Sequence, residues 1–185
     1  MTRGAYVALL RGINVGGHNR LPMRDLKQMF EQAGGANVET FIQSGNVIFE
    51  ADARTAAALP KAVTSAIERH AGFVAPVVLR SAERMRAIVD GNPYLAEAEA
   101  DQLYVMSLID IPAAAAAAAL DRTRALPDEF TLRGTEIYMR LVGGMVRTKL
   151  TNAWFDRALR TVSTTRNWRT TTKLEEMVRV RASFI

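Results

Sequence analysis

Between residues 5 and 50 the chain passes through an apolar strand, a loop rich in glycine and asparagine, a helix and a tight hairpin, an order that few folds accommodate. Residues 6–11 read as a strand. Residues 23–33 place Leu26, Met29 and Phe30 on one side of a helix, which Gly34 and Gly35 end in the manner of a C-cap. Val38, Thr40 and Ile42 then alternate with Glu39 and Phe41, and residues 47–49 return after a short turn containing Gly45. A helix over 54–71 buries Leu59, Val63, Ala66 and Ile67 at three- and four-residue spacing, and a strand over 74–79 closes the series. The sum is β-α-β-β-α-β, the ferredoxin-like order.

After a helix capped by Ser81 and stopped at Gly91-Asn92-Pro93, a short polar linker over 96–101 precedes a second pass through the same pattern. A strand over 103–109, a helix from Pro112, a hairpin turning at Gly134-Thr135 and a helix after Thr151 are expected, followed by a further helix from near Asn167. The expectation is therefore an α+β protein of two subdomains, residues 1–95 ferredoxin-like with a trailing helix and residues 96–185 in the order β-α-β-β-α-α. The alanine run over 113–119 needs only helix propensity to explain it.

Composition removes several classes of function. With no cysteine the chain has no disulfide, zinc finger, iron–sulfur cluster or thiol nucleophile, and no metal site is expected. No apolar run approaches the ~20 residues that cross a bilayer, and no signal peptide is evident, so a cytoplasmic protein without a membrane partner is expected. The net charge of +5 is concentrated at the end of the chain. Residues 147–185 carry nine basic groups against three acidic ones, whereas the preceding segments are nearly balanced. An anionic partner fits this distribution, as does a solvated face that keeps the protein soluble.

Three polar clusters carry whatever chemistry the chain has. The first is Arg11-Gly12-Ile13-Asn14-Val15-Gly16-Gly17-His18-Asn19-Arg20, joining a strand to a helix. Its glycines permit positive φ and close backbone approach, although the spacing matches neither a P-loop nor a dinucleotide-binding turn. The second is Gln43-Ser44-Gly45-Asn46, in which Gln43 is the residue that turn geometry does not demand. Whether these two share a site is open at this level. The third runs from Ser163 to Lys173, where Thr164 or Thr165 can cap the following helix. At 100° per residue, Arg166, Arg169 and Lys173 then form a basic stripe beside the helix start, with Trp168 in the core or stacked on a base. Catalysis has only His18 as a weak candidate acid or base, because no Ser-His-Asp order, H-E-x-x-H motif or comparable set is present.

The segments Val7-Ala8-Leu9-Leu10-Arg11-Gly12-Ile13-Asn14-Val15-Gly16-Gly17, Leu21-Pro22-Met23, Ile42-Gln43-Ser44-Gly45-Asn46-Val47, Thr148-Lys149-Leu150 and Thr164-Thr165-Arg166-Asn167-Trp168 resemble the bacterial family known as domain of unknown function 1697. The resemblance implies a two-part α+β protein and makes the three clusters the family's signature segments. It implies no catalytic residues and leaves any cofactor unknown. Three functions follow from these readings. The first is a binding module for a phosphate-bearing ligand such as nucleic acid, contacted through Arg11, Asn14, Gly16, Gly17, His18, Asn19, Gln43, Thr165, Arg166, Asn167, Arg169 and Lys173. The others are an enzyme acting on a phosphorylated or carboxylated metabolite between the subdomains, and a structural or regulatory scaffold whose polar motifs lock the halves together.

Overall fold

A computed structural model describes residues 3–185. The chain divides into two compact units, one formed by residues up to Ala87 together with Lys173–Ile185, the other by Ile88–Thr172.

In the first unit, β1 (Arg3–Leu10), α1 (Met23–Gln32), β2 (Ala36–Phe41), β3 (Asn46–Asp52), α2 (Ala53–Ala71) and β4 (Val77–Ser81) follow one another. The strands form an antiparallel sheet in the order β2-β3-β1-β4, the arrangement expected of the ferredoxin-like series. Leu26, Met29 and Phe30 of α1 and Leu59, Val63 and Ile67 of α2 pack on the face formed by Ala8, Leu10, Val47 and Phe49. Asp52 caps α2 by accepting the Arg54 and Thr55 amides, each at 3.0 Å, and Gly72 in the left-handed conformation ends it. The strand expected from residue 74 begins later, at Val77. Pro76 has no N–H to enter a ladder, and its carbonyl instead accepts the Arg11 amide at 3.0 Å.

Residues of β3 are buried on both faces, with Asn46 and Glu50 on the side away from α1 and α2. Arg181, near the end of α6 (Trp168–Ala182), reaches that side of the sheet, with Nη2 2.8 Å from Glu39 Oε2 and Nη1 3.7 Å from Glu50 Oε1 and hydrogen-bonded to the Asn37 carbonyl. This anchorage explains why the last residues of the chain belong to its first unit. It also removes Arg181 from the freely solvated basic charges.

Helix α3 (Ala82–Asp90) follows β4, with Ser81 Oγ accepting the Arg84 amide at 3.1 Å as its predicted cap. The second unit then builds β5 (Leu103–Leu108), α4 (Ala114–Ala118), β6 (Glu129–Arg133), β7 (Glu136–Arg140), α5 (Asn152–Leu159) and β8 (Ser163–Asn167). Its sheet order, β6-β7-β5-β8, repeats that of the first unit. The expected ending β-α-β-β-α-α is thereby corrected, because a closing strand precedes the final helix. β8 pairs with β5 from Leu108↔Ser163 to Tyr104↔Asn167. Its residues Ser-Thr-Thr-Arg-Asn contain no apolar member, so hydrophobic alternation could not announce it. A core of Met106, Ile137, Met139, Leu150 and Phe155 lies on the α5 side of the sheet, with Phe130, Trp154 and Phe155 in edge-on ring contacts.

Candidate ligand-binding site

The first two polar clusters meet at one end of the first sheet. The antiparallel register pairs Leu9 with Asn46, so the chain leaving β1 and the chain entering β3 lie side by side, and the Leu10 amide donates to the Gly45 carbonyl at 2.8 Å. Gly45 has a φ of +77°, and a Cβ there would stand 2.7 Å from Leu10 Cβ and 2.8 Å from Ile13 Cδ1. The hairpin therefore approaches the loop through the space a side chain would occupy.

Asn14 joins the two segments. Its Nδ2 donates to the carbonyls of Leu21 and Gln43, both at 2.9 Å, and its Oδ1 accepts the Leu21 amide at 2.8 Å. Asn14 adopts a φ of +53°, a region that asparagine tolerates better than most residues. Asn19, also at positive φ, donates from Nδ2 to the Gly12 carbonyl at 2.9 Å, while its own carbonyl accepts the Asn14 amide at 3.1 Å. These bonds hold an exposed tip in which the His18 amide donates to the Val15 carbonyl and Gly16 and Gly17 have φ values of 59° and 80°.

A shallow depression of about 380 Å³ results, lined by Asn14, Gly17, Arg20, Leu21, Pro22 and Gln43. No carboxylate lines it. The nearby Asp25 is engaged elsewhere, bonded to Arg24 Nε at 3.0 Å and 3.4 Å from His70 Nε2. The Arg24 hydrogen bond is the main cause that holds its carboxyl below the ordinary range. His70, in the last turn of α2, thus links α2 to α1. Of the sequence candidates, Asn14, Gly17 and Gln43 line the depression, Gly16, His18 and Asn19 belong to the same loop, and Arg11 leads into it. Arg20 and Leu21 are additional lining residues. Their position flanking the glycine loop was visible in the sequence, but the Asn14 clamp that holds Leu21 beside Gln43 was not.

The third cluster belongs to the second unit and to α6 and is arranged differently from expectation. Thr164 and Thr165 do not cap a helix, since both are paired within β8. Asn167 is the cap, its Oδ1 accepting the Thr170 amide at 2.8 Å. Arg166 lies on β8, where its Nη1 donates to Thr164 Oγ1 at 2.8 Å and to the Thr165 carbonyl at 2.9 Å. Desolvation lowers its pKa to about 10. The basic stripe that helical spacing suggested for Arg166, Arg169 and Lys173 is therefore not a helical stripe, because its first member is in a strand. Arg169 is exposed on α6, and Lys173 is bonded to Glu176 at 2.9 Å. Thr165 donates to Asn152 Oδ1 at 3.1 Å, and Ser163 donates to Asp156 Oδ1 at 2.6 Å while accepting from Asn152 Nδ2. This polar lattice ties β8 to α5. Trp168 is buried at 8% exposure, which places it in the core.

Among the described residues no group of three or more histidine, cysteine or acidic side chains could hold a metal ion, and no helix is long and apolar enough to cross a membrane. No curated protein matches the sequence. The fold is similar to that of a solved structure, the conserved bacterial protein SP0830 from Streptococcus pneumoniae, with a TM-score of 0.71 at 21% identity over 96% of this chain and 99% of that one. The family model for proteins of unknown function DUF1697 matches residues 1–138, a span that contains the whole clamped loop and hairpin, and the chain belongs to that family.

Proposed function

We propose that the protein is a binding module for a small phosphate-bearing ligand, held at the β1–α1 loop of its first unit. The observation that carries this reading is the Asn14 clamp, which ties Leu21 to Gln43 beside one depression that Gly17 and Arg20 also line and whose lining has no carboxylate. Arg20 supplies positive charge. The consecutive glycines let a ligand oxygen approach the backbone closely, and the Gln43 amide supplies directional hydrogen bonds. Asn14 positions this set, since its side chain is already occupied by the loop itself.

A discrete ligand is favoured over a long nucleic acid by the state of the tail charges. Lys173, Arg179 and Arg181 are engaged with Glu176, Glu175 and Glu39, and Arg166 is sequestered in β8. The stripe expected at Arg166, Arg169 and Lys173 is therefore not a continuous row of solvated cations able to follow a phosphate backbone. Calorimetric titration with inorganic phosphate tests the reading. Saturable binding that weakens by about tenfold or more in Arg20→Glu and declines with added salt is expected; equal affinity in the variant would overturn it.

A further inference from the structure

The second unit contains a cleft of about 540 Å³ between the segments 123–128 and 142–149. Three cationic residues line it, Arg124, Arg147 and Lys149, against a single carboxylate, Asp128. That carboxylate is buried and accepts the Val142 amide at 2.8 Å, so it serves to join the two segments.

The cations are set in place by the fold. The Arg124 guanidinium lies 4.9 Å from the centre of the Trp154 ring, and its Nε donates to the Lys149 carbonyl at 3.3 Å. Along 147–150 exposure alternates, with Arg147 and Lys149 exposed and Thr148 and Leu150 buried. Leu150 enters the core beside Phe155, and its amide donates to Thr148 Oγ1 at 3.1 Å. Anchoring the even positions leaves the odd ones, both cationic, on the outside. Neither Arg147 nor Lys149 has an ion-pair partner among the described residues. Three cations gathered in one concavity repel each other and focus positive potential there, and an anion relieves that repulsion. Leu126 and Val142 complete the rim with apolar side chains that are 64% and 47% exposed.

We infer that this cleft binds a small molecule carrying a diphosphate group, with the phosphate oxygens held by Arg124, Arg147 and Lys149 and an apolar portion resting on Leu126 and Val142. Three cationic side chains match the charge of a diphosphate better than that of a single phosphate. The site is independent of the β1–α1 loop and shares no residue with it.

The test is a titration of the full chain with inorganic pyrophosphate, followed by the NMR signals of the Trp154 indole N–H and of the backbone amides of residues 124, 147 and 149. Saturable shifts in these signals are expected, with affinity reduced by about tenfold or more in Arg147→Glu and in Lys149→Glu and unchanged in Arg20→Glu. Both substituted side chains are exposed, and the undisturbed core spectrum of each variant verifies its fold. Absence of shifts at the cleft, or shifts that both charge reversals leave unaltered, would overturn the inference. Shifts confined to residues 14–20 would overturn it as well, while leaving the loop reading intact. The reverse pattern would support the cleft and remove pyrophosphate from the loop.

Discussion

Replacing Asn14 by alanine tests the clamp that organises the candidate site. The substitution removes three hydrogen bonds, two donated by Nδ2 and one accepted by Oδ1. At ~0.5–1.5 kcal/mol net for each bond, the loss spans ~1.5–4.5 kcal/mol. Asn14 and Gln43 lie where water can replace part of this, whereas Leu21 is 2% exposed and its abandoned amide and carbonyl are shielded. Water offsets the loss of the exposed bond to Gln43 but not the loss of the two bonds at Leu21, so about 1.5–3 kcal/mol of this applies, and the φ of +53° adds about 0.5–1 kcal/mol for alanine relative to asparagine. The expected destabilisation is ~2–4 kcal/mol, which for a chain of this size corresponds to a fall in Tm of ~4–16 °C. Urea denaturation and calorimetry measure it. Asn14→Asp keeps the acceptor and loses both donors, so it should fall between the parent and alanine. Asn14→Gly removes the bonds but relieves the φ cost, and should match or exceed the stability of Asn14→Ala. An alanine variant within ~0.5 kcal/mol of the parent would refute the account of the clamp.

Other parts of the structure make separate predictions. Gly45→Ala introduces a Cβ 2.7 Å from Leu10 at a φ of +77°, and denaturant melts should show it destabilised by more than ~2 kcal/mol. Arg166→Ala empties a half-buried position on β8 and leaves Thr164 without one of its bonds; it should cost ~1–2 kcal/mol, while Arg169→Ala on the exposed side of α6 stays within ~0.5 kcal/mol. Asp52 is held below its ordinary pKa of 3.8 chiefly by the Thr55 amide, and Asp25 chiefly by the Arg24 side chain. A lowered folded pKa means that the stabilisation is fully present above the ordinary value and is lost as pH falls through the folded one. Stability should therefore be level from neutral pH to about 5 and decline below about 4, with a shallower acid decline in Asp52→Asn when followed by circular dichroism.

Much of the first unit was legible because its signals are redundant. Leu26, Met29 and Phe30 mark α1 by spacing, Gly34-Gly35 marks its end, and the Gly45 turn separates two alternating strands. The repetition of this order after residue 101 was likewise visible in the hairpin at Gly134-Thr135. What escaped was β8. Its strand character comes from pairing with β5 and from hydroxyl and amide bonds to Asn152 and Asp156, neither of which leaves an apolar period in the sequence. The same omission misplaced Arg166, since a helical wheel cannot apply to a residue in a strand. The convergence of the loop with Gln43 was also beyond local reading, because the Asn14–Gln43 bond spans 29 residues and depends on sheet register. Arg147 and Lys149 were counted as tail charges, and only the buried anchors Thr148 and Leu150 reveal why they project on one side.

The most direct measurement of the central claim is a nitrogen–proton NMR titration of the full chain with inorganic phosphate, resolving the backbone amides of Gly16, Gly17 and His18 and the side-chain amide of Gln43. Saturable shifts at these positions, lost in Arg20→Glu while the rest of the spectrum is preserved, are the predicted result. A spectrum in which these amides stay fixed as phosphate is added would contradict ligand binding at the clamped loop.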